Sequence, residues 1–262
     1  MTRRFASCVL CGVLTNAALG QPRPDDGAVW KAFRNWFATR KLSGKPWDLI
    51  ESYRGELSGE GVTKPEIDRR MKVIWRLLWN TPEGVQVFWD KVYGSDRPIY
   101  IDKPTALLVS AVAGRKPGKA LDFGMGQGRN SVFLALRGWD VTGFDPSDVA
   151  VRAAQANAAK AGVKIHAIIS ADDRFDFGET EWDLIVMTYV RDPSPTDAQR
   201  IWRALKPGGI FVYENGASKD DATRKTFFRF RILRYENMEG VRDWNPEFKG
   251  KVERLVAEKV SS

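Results

Sequence analysis

The chain has 262 residues, 43% of them hydrophobic, which is enough for one full α/β domain plus an extension. The formal net charge is +8, yet Lys and Arg are spread along the whole chain among many acids, with only local clusters such as Arg69-Arg70. A nucleic-acid site gathers such charge into a stripe with interleaved aromatics, so this pattern favours a solvated basic surface and disfavours nucleic acid as a partner.

Arg3-Arg4 precede a mostly apolar stretch, Phe5 to Leu19, which ends in Ala18-Leu19-Gly20. This is the layout of a secretory signal peptide, residues 1–20, and is too short for a comfortable membrane span. Export to the periplasm or medium is the expectation; an apolar extension on a cytoplasmic protein is the alternative. Cys8 follows Phe5-Ala6-Ser7 with no apolar run before it, a poor lipoprotein signal. Cys8 and Cys11 are the two cysteines. A chain cleaved after Gly20 has no disulfide, no cysteine nucleophile and no stable membrane span.

Residues 21–104 read as a helical extension. Gln21 to Gly27 is a polar linker, and Asp25 or Asp26 can cap a helix with Trp30, Phe33, Trp36 and Phe37 on its apolar face. Gly44-Lys45-Pro46 breaks it, and Trp47 to Leu57 forms a second helix. Thr63-x-x-Glu66 is a capping box, with Pro65 in the first turn. The helix it opens carries Ile67, Met71, Ile74, Trp75 and Leu78 on one stripe. Thr81-Pro82 starts another, with Val85, Phe88, Trp89 and Val92, stopped by Gly94. Trp30, Trp36 and Trp75 are read as core.

The most informative stretch is Ala120 to Asp145. A short apolar run ends in Asp122-Phe123; Gly124, Gly126 and Gly128 follow at alternate positions; a helical pattern carries Val132, Phe133 and Leu136. After the turn at Arg137-Gly138, a second strand, Val141 to Phe144, ends on Asp145. Strand, glycine loop, helix, strand, acid is the first half of a nucleotide-binding βαβ unit. The glycines let the backbone turn sharply and approach a ligand without a Cβ in the way. Asp145 is placed to accept hydrogen bonds from ribose hydroxyls. A dinucleotide loop reads G-x-G-x-x-G; here the third glycine comes one residue early, and Arg129 stands where glycine is wanted. Asp122 would repel a pyrophosphate and suits a cationic amino-acid tail instead. An NAD-type oxidoreductase is disfavoured on both counts.

Alternating strands and helices follow. Pro146-Ser147 turn into an alanine-rich helix to Ala161, Val163 to Ser170 is a third strand, and the sole histidine, His166, lies in it as a packed or pocket-rim residue. Asp172 and Asp173 come next. Leu184 to Met187 is the fourth strand and Pro193 to Leu205 a helix. Leu205-Lys206-Pro207-Gly208-Gly209 turns into a fifth strand, Ile210 to Glu214. Phe227 to Tyr235 and Lys251 to Val260 are the last two strands, with Met238 to Gly250 in a long loop between them.

The run D-x-G-x-G-x-G from Asp122 to Gly128 resembles the first motif of class I S-adenosylmethionine-dependent methyltransferases. Trp182-Asp183-Leu184-Ile185-Val186 and Leu205-Lys206-Pro207-Gly208-Gly209 are similar to further motifs of that family, and the likeness covers roughly residues 88–260. The lead-in Trp89-Asp90-Lys91-Val92-Tyr93, then Pro98-x-Tyr100 and Pro104, resembles the small-molecule types, among them the tellurite-resistance and thiopurine enzymes. The resemblance implies a doubly wound, Rossmann-like, seven-stranded mixed sheet of order 3-2-1-4-5-7-6 in residues 105–262. It implies S-adenosyl-L-methionine as cofactor, held by Asp122, Phe123, Gly124, Met125, Gly126, Gly128, Arg129, Asn130, Asp145, Pro146, Ser147 and Met187. It also places an acid after the third strand, Asp172 or Asp173, at the adenine amino group. Trp89, Tyr93 and Tyr100 would form an aromatic lid, since a sulfonium methyl is a soft cation drawn to aromatic faces.

Methyl transfer needs position, a dry site and, in some enzymes, a base. Thr188-Tyr189-Val190-Arg191-Asp192 follow the fourth strand and face the methyl in this fold. Tyr189 is the candidate substrate or methyl contact, Asp192 a candidate base and Arg191 a candidate anion clamp. The N-P-P-Y motif of nucleic-acid and glutamine amino-group enzymes is absent from this segment, which leaves a small-molecule acceptor as the leading expectation. No metal site is read. An inactive nucleotide-binding sensor or scaffold is the competing function.

Overall fold

The computed structural model describes residues 25–95, 103–216, 221–243 and 249–260. The expected signal peptide and Tyr100 lie outside the described residues. Those described form two compact units: residues 25–95 with 146–149, and residues 103–145 with the described residues from 150 to 260.

The first unit is helical: α1 (Asp26–Thr39), α2 (Pro46–Gly59), α3 (Lys64–Asn80) and α4 (Pro82–Tyr93). Phe33, Phe37, Ile50, Leu57, Met71, Ile74 and Leu78 are almost fully buried and form its core. Trp30 is buried, whereas Trp36 and Trp75 are half-buried. Two of the indoles are satisfied alike: Trp30 Nε1 donates to Glu83 at 3.0 Å and Trp75 Nε1 to Glu51 at 2.9 Å. Two expected caps are not formed. Neither Asp25 nor Thr63 makes a side-chain cap bond. Arginines of α3 take the acids instead. Arg69 holds Asp25, Asp26 and Glu66, Arg70 holds Glu66 and Arg76 holds Asp26. A guanidinium offers a charge-assisted fork that a single backbone N–H cannot match. Thr81 does cap α4, accepting from Gly84 N–H at 3.0 Å.

The second unit is built on β1 (Lys119–Phe123), β2 (Asp140–Asp145), β3 (His166–Ile169), β4 (Trp182–Thr188), β5 (Leu205–Gly216), β6 (Arg231–Val241) and β7 (Lys249–Glu258). They form one seven-stranded sheet of order β3-β2-β1-β4-β5-β7-β6. The strands pair in parallel from β3 to β5, and β7 enters antiparallel between β5 and β6. Leu121 sits opposite Ile185 on adjacent parallel strands. Helices α5 (Ala106–Val112), α6 (Arg129–Ala135), α7 (Asp148–Lys160), α8 (Pro195–Ala204) and α9 (Ala222–Thr226) complete the fold.

Both sheet faces are buried, so β4 and β5 read as continuous apolar runs whose residues alternate between two cores. Leu121, Phe123, Ile185, Met187, Phe211 and Tyr213 pack with Ile201 and Ala204 of α8. Ala120, Leu184, Val186, Ile210 and Val212 pack with Leu107 and Leu108 of α5 and Phe133 and Leu134 of α6. Asp183 ties the base of the sheet, accepting from Lys119 N–H at 2.8 Å and pairing with Lys206 at 2.7 Å. Three segments differ from the sequence reading. β3 is only four residues long and His166 opens it with an exposed side chain, 3.7 Å from Asp140, and so is not packed. The Leu205-Lys206-Pro207-Gly208-Gly209 turn is the bulged start of β5. The last strands run to Val241 and from Lys249, so both ends of the expected long loop belong to strands, with Met238 paired to Val252 and Val241 to Lys249.

Candidate active site

The carboxyl ends of β1, β2 and β4 carry the glycine loop, Asp145 and the Thr188–Asp192 segment that the sequence singled out. Between β1 and α6 the chain turns through Gly124 (φ +66°), Gly126 (φ +54°) and Gly128 (φ +80°), a backbone region that L side chains avoid. Space is also short. A Cβ on Gly124 would lie 2.5 Å from Val190 Cγ2, and one on Gly128 would lie 2.9 Å from the Ala154 Cβ. The loop is latched at two points: Met125 N–H donates to Phe144 O at 3.0 Å, and Gly126 N–H to Asp145 Oδ2 at 3.0 Å.

Asp122, one residue before the end of β1, is almost completely buried and accepts from Ser131 Oγ at 2.6 Å. Burial pushes its carboxyl up to about 6, with the Ser131 bond and the Arg129 charge pulling the other way. Asp145 is buried at the end of β2, Ser147 is fully buried and Pro146 half-buried. Phe123 and Met187 send their side chains into the core beneath the sheet rather than toward the loop; Phe123 stacks on Phe144 at 4.9 Å. Their role at the opening is confined to the backbone. Met125 packs with Val151 and Ala154.

Arg129 and Asn130, at the start of α6, clamp protein to protein. Arg129 donates to Lys103 O at 3.0 Å and Thr105 Oγ1 at 3.0 Å, and pairs with Asp243 at 3.1 Å. Asn130 accepts from Thr105 N–H at 2.9 Å and donates to Thr188 Oγ1 at 3.0 Å. One side chain thus joins the approach to α5 to the end of β4.

The segment after β4 is equally engaged. Arg191 does not stand free as an anion clamp: its guanidinium forks onto Asp197 at 2.6 and 2.9 Å and reaches Asp172 at 2.7 Å. Burial works against that charge, but the two carboxylates outweigh it and hold the guanidinium's pKa above its usual value. Asp197 also completes a capping box with Ser194 that the sequence reading did not single out. Asp172 is half-buried and Asp173 exposed. Asp192 Oδ1 accepts from Tyr213 Oη at 2.9 Å and Asn215 Nδ2 at 3.1 Å. Tyr189 is half-buried at φ +57°, a left-handed conformation costing a non-glycine residue about 1–2 kcal/mol. Its phenol donates to Glu214 on β5, and burial, then the charges of Glu214 and Asp243, push its pKa up. Glu214 and Asp243 were not singled out in the sequence. In the helical unit, Trp89 and Tyr93 lie half-buried with ring centroids 5.7 Å apart.

Whether these groups suit a methyl-donor cofactor is tested by charge and shape. A buried carboxylate beside the loop suits a cation and opposes a phosphate, and the latched, Cβ-free turn leaves backbone for a ligand to approach. Residues 120–209 match the methyltransferase domain family. That segment is a methyltransferase domain of the class I S-adenosylmethionine-dependent type. The chain is similar to "Ribosomal RNA small subunit methyltransferase C" of Alcanivorax borkumensis, 36% identical over 52% of this chain and 44% of that protein. It is also similar to "Ubiquinone biosynthesis O-methyltransferase" of Methylobacterium nodulans, 39% identical over 35% of this chain and 38% of that one. "Probable S-adenosyl-L-methionine-dependent methyltransferase TehB" of Haemophilus influenzae is 29% identical over 52% of this chain and 49% of its own length. The crystal structure of TehB from that organism superposes with a TM-score of 0.53 at 22% identity, covering 66% of each chain, and so shares the fold. The chain spans about half or less of the curated relatives it matches. Among the described residues no helix is long and apolar enough to cross a membrane.

Proposed function

We propose that the protein is a methyltransferase that moves a methyl group from S-adenosyl-L-methionine to a small-molecule acceptor. The observation that carries the reading is the pair of buried carboxylates, Asp122 and Asp145, flanking a latched glycine loop at adjacent strand ends. In this reading Asp145 accepts from the ribose hydroxyls while keeping the loop closed. Asp122 faces the ammonium of the methionine part, and the backbone of residues 123–126 lies along it. Asp172 or Asp173 meets the adenine. When bound, the cofactor supplies an electrophilic methyl on a sulfonium. The protein's own part is to hold the acceptor in line with that methyl, keep water out and, where the acceptor carries a proton, take it up. Tyr189 is the proposed wall beside the methyl, and Asp192, partly buried at the same opening, the proposed proton acceptor.

A small acceptor is favoured over nucleic acid by the dispersed basic charge and by the Thr188 to Asp192 segment, which has no N-P-P-Y motif. Radiolabelled methyl transfer to a panel of thiols, hydroxyls, amines and metalloids, with small-subunit ribosomal RNA as a further arm, tests both the reaction and the acceptor class. Transfer to the RNA alone would refute the small-molecule reading. Export after removal of residues 1–20 is a separate proposal, tested by the N-terminal mass of protein from its native host.

A further inference from the structure

Tyr189 is gripped from several sides. Its N–H donates to Glu214 O at 2.7 Å, its hydroxyl donates to the Glu214 carboxylate, and Asp243 N–H donates to the hydroxyl oxygen at 3.3 Å. The Arg129 guanidinium lies 5.9 Å from the ring centroid. Asp243, just past the end of β6, is itself held twice: its carboxylate pairs with Arg129 at 3.1 Å and accepts from Ala106 N–H at 3.2 Å. Glu214, fully buried, receives Arg254 Nε of β7 at 3.0 Å, and Arg254 reaches Glu236 of β6 at 3.3 Å. The bonds run unbroken from the helix after the glycine loop, through the β6–β7 hairpin, to the residue after β4 and back into the sheet.

We propose that Asp243 and Glu214 are positioning residues for methyl transfer, which fix the Tyr189 side chain beside the methyl and join it, through Arg129, to the cofactor loop. The proposal rests on the methyltransferase reading above. Its physical basis is over-determination. A tyrosine in the left-handed region stays there only if its surroundings hold it, and here both the backbone and the phenol are held by the same glutamate. The hydroxyl proton is committed to Glu214, so Tyr189 serves as a shaped wall and not as a proton donor. Arg129 pairs with Asp243 and faces the Tyr189 ring. A shift of the glycine loop on binding cofactor therefore reaches the acceptor side without passing through solvent.

The test uses the full chain, S-adenosylhomocysteine as probe and two readouts. Calorimetry gives affinity; the ring carbon bearing the hydroxyl, labelled in tyrosine, gives an NMR signal for each of six tyrosines, with Tyr189→Phe assigning the one of interest. In the wild type, the probe should move the Tyr189 signal. Asp243→Ala should weaken binding about tenfold or more and abolish that movement, since a charge-assisted pair and a backbone bond are both lost. Asp243→Asn, whose amide oxygen can still accept from Ala106, should recover binding to within about threefold. If the alanine variant does not fold, Glu214→Gln decides: it should lower affinity about threefold and displace the Tyr189 signal. A cluster that only braces the hairpin predicts altered melting with affinity within about twofold of wild type and an unchanged response of the Tyr189 signal; that result overturns the inference. Failure of the wild type to bind the probe sinks the methyltransferase reading and this inference together, whereas normal wild-type binding with indifferent variants sinks the inference alone.

Discussion

Gly126 N–H donates to the Asp145 carboxylate across 3.0 Å, so the acid that shapes the glycine loop is also the one proposed to hold the ribose. The two tasks can be separated by substitution. Asp145→Ala removes both and should cost about 1–3 kcal/mol of affinity for S-adenosylhomocysteine, the penalty for leaving hydrogen-bonding groups unpaired. Asp145→Asn keeps an acceptor for Gly126 and should lose less. Calorimetry that finds the alanine variant binding as tightly as wild type removes Asp145 from the site.

The glycine loop carries two kinds of constraint, and three variants divide them. Gly162→Ala meets a positive φ of +71° with nothing within 4 Å, so only backbone strain applies, about 1–2 kcal/mol. Gly128→Ala adds a 2.9 Å contact with Ala154, and Gly124→Ala a 2.5 Å contact with Val190. Both should lose more stability in thermal melts than Gly162→Ala. The Gly124 defect should be partly relieved by Val190→Ala, because the clash is with a side chain. Equal melting shifts for all three variants would show that packing plays no part.

Much of this was legible in the chain, and the boundary has physical causes. The strands could be placed because buried parallel strands are continuous apolar runs, their order followed from the family resemblance, and Gly124, Gly126 and Gly128 mark a turn that only glycine makes. The cap on α3 could not: Thr63 and Glu66 fit the pattern, but Arg69 and Arg70 compete for the same carboxylate. The far end of β6 was missed because Met238, Glu239 and Val241 are exposed, so no alternation announces a strand. Asp243 was invisible for a different reason. An acid in a loop is unremarkable until the fold brings it to Arg129, 114 residues away in sequence.

Arg191 illustrates how a plausible site residue becomes a structural one. Arg191→Ala would leave Asp197, whose side chain is 4% exposed, without its main partner. The expected cost is about 2 kcal/mol of stability, less than for a fully buried pair because Arg191 itself is one-third exposed. Arg191→Lys should not restore it, since an ammonium cannot reproduce the bidentate fork. If the alanine variant melts like wild type but fails selectively on anionic acceptors, the anion-clamp role returns.

Asp122 offers a prediction in which fold stability and cofactor binding move in opposite directions. Burial lifts its carboxyl from the ordinary 3.8 to about 6. Between those values the folded protein holds a proton that the unfolded chain has released. Stability therefore falls as pH rises through this window, by roughly 3 kcal/mol in all for a shift of about two units. Above about pH 6 the folded protein carries a buried carboxylate with Ser131 Oγ as its hydrogen-bond donor. Asp122→Asn keeps an acceptor for Ser131 and removes the charge, so the ligand-free variant should be more stable than wild type at pH 7.5 and should lose the decline between pH 4 and 6. In the proposed reading the same change removes the anion facing the cofactor's ammonium, and it should weaken S-adenosylhomocysteine binding. Because that ammonium favours the ionised form, wild-type binding near pH 6 should release a fraction of a proton, seen as a dependence of calorimetric heat on buffer ionisation enthalpy, and the variant should show none. A variant that is less stable at pH 7.5 and binds as tightly as wild type would contradict both the burial argument and the assignment of Asp122 to the cofactor's amino group.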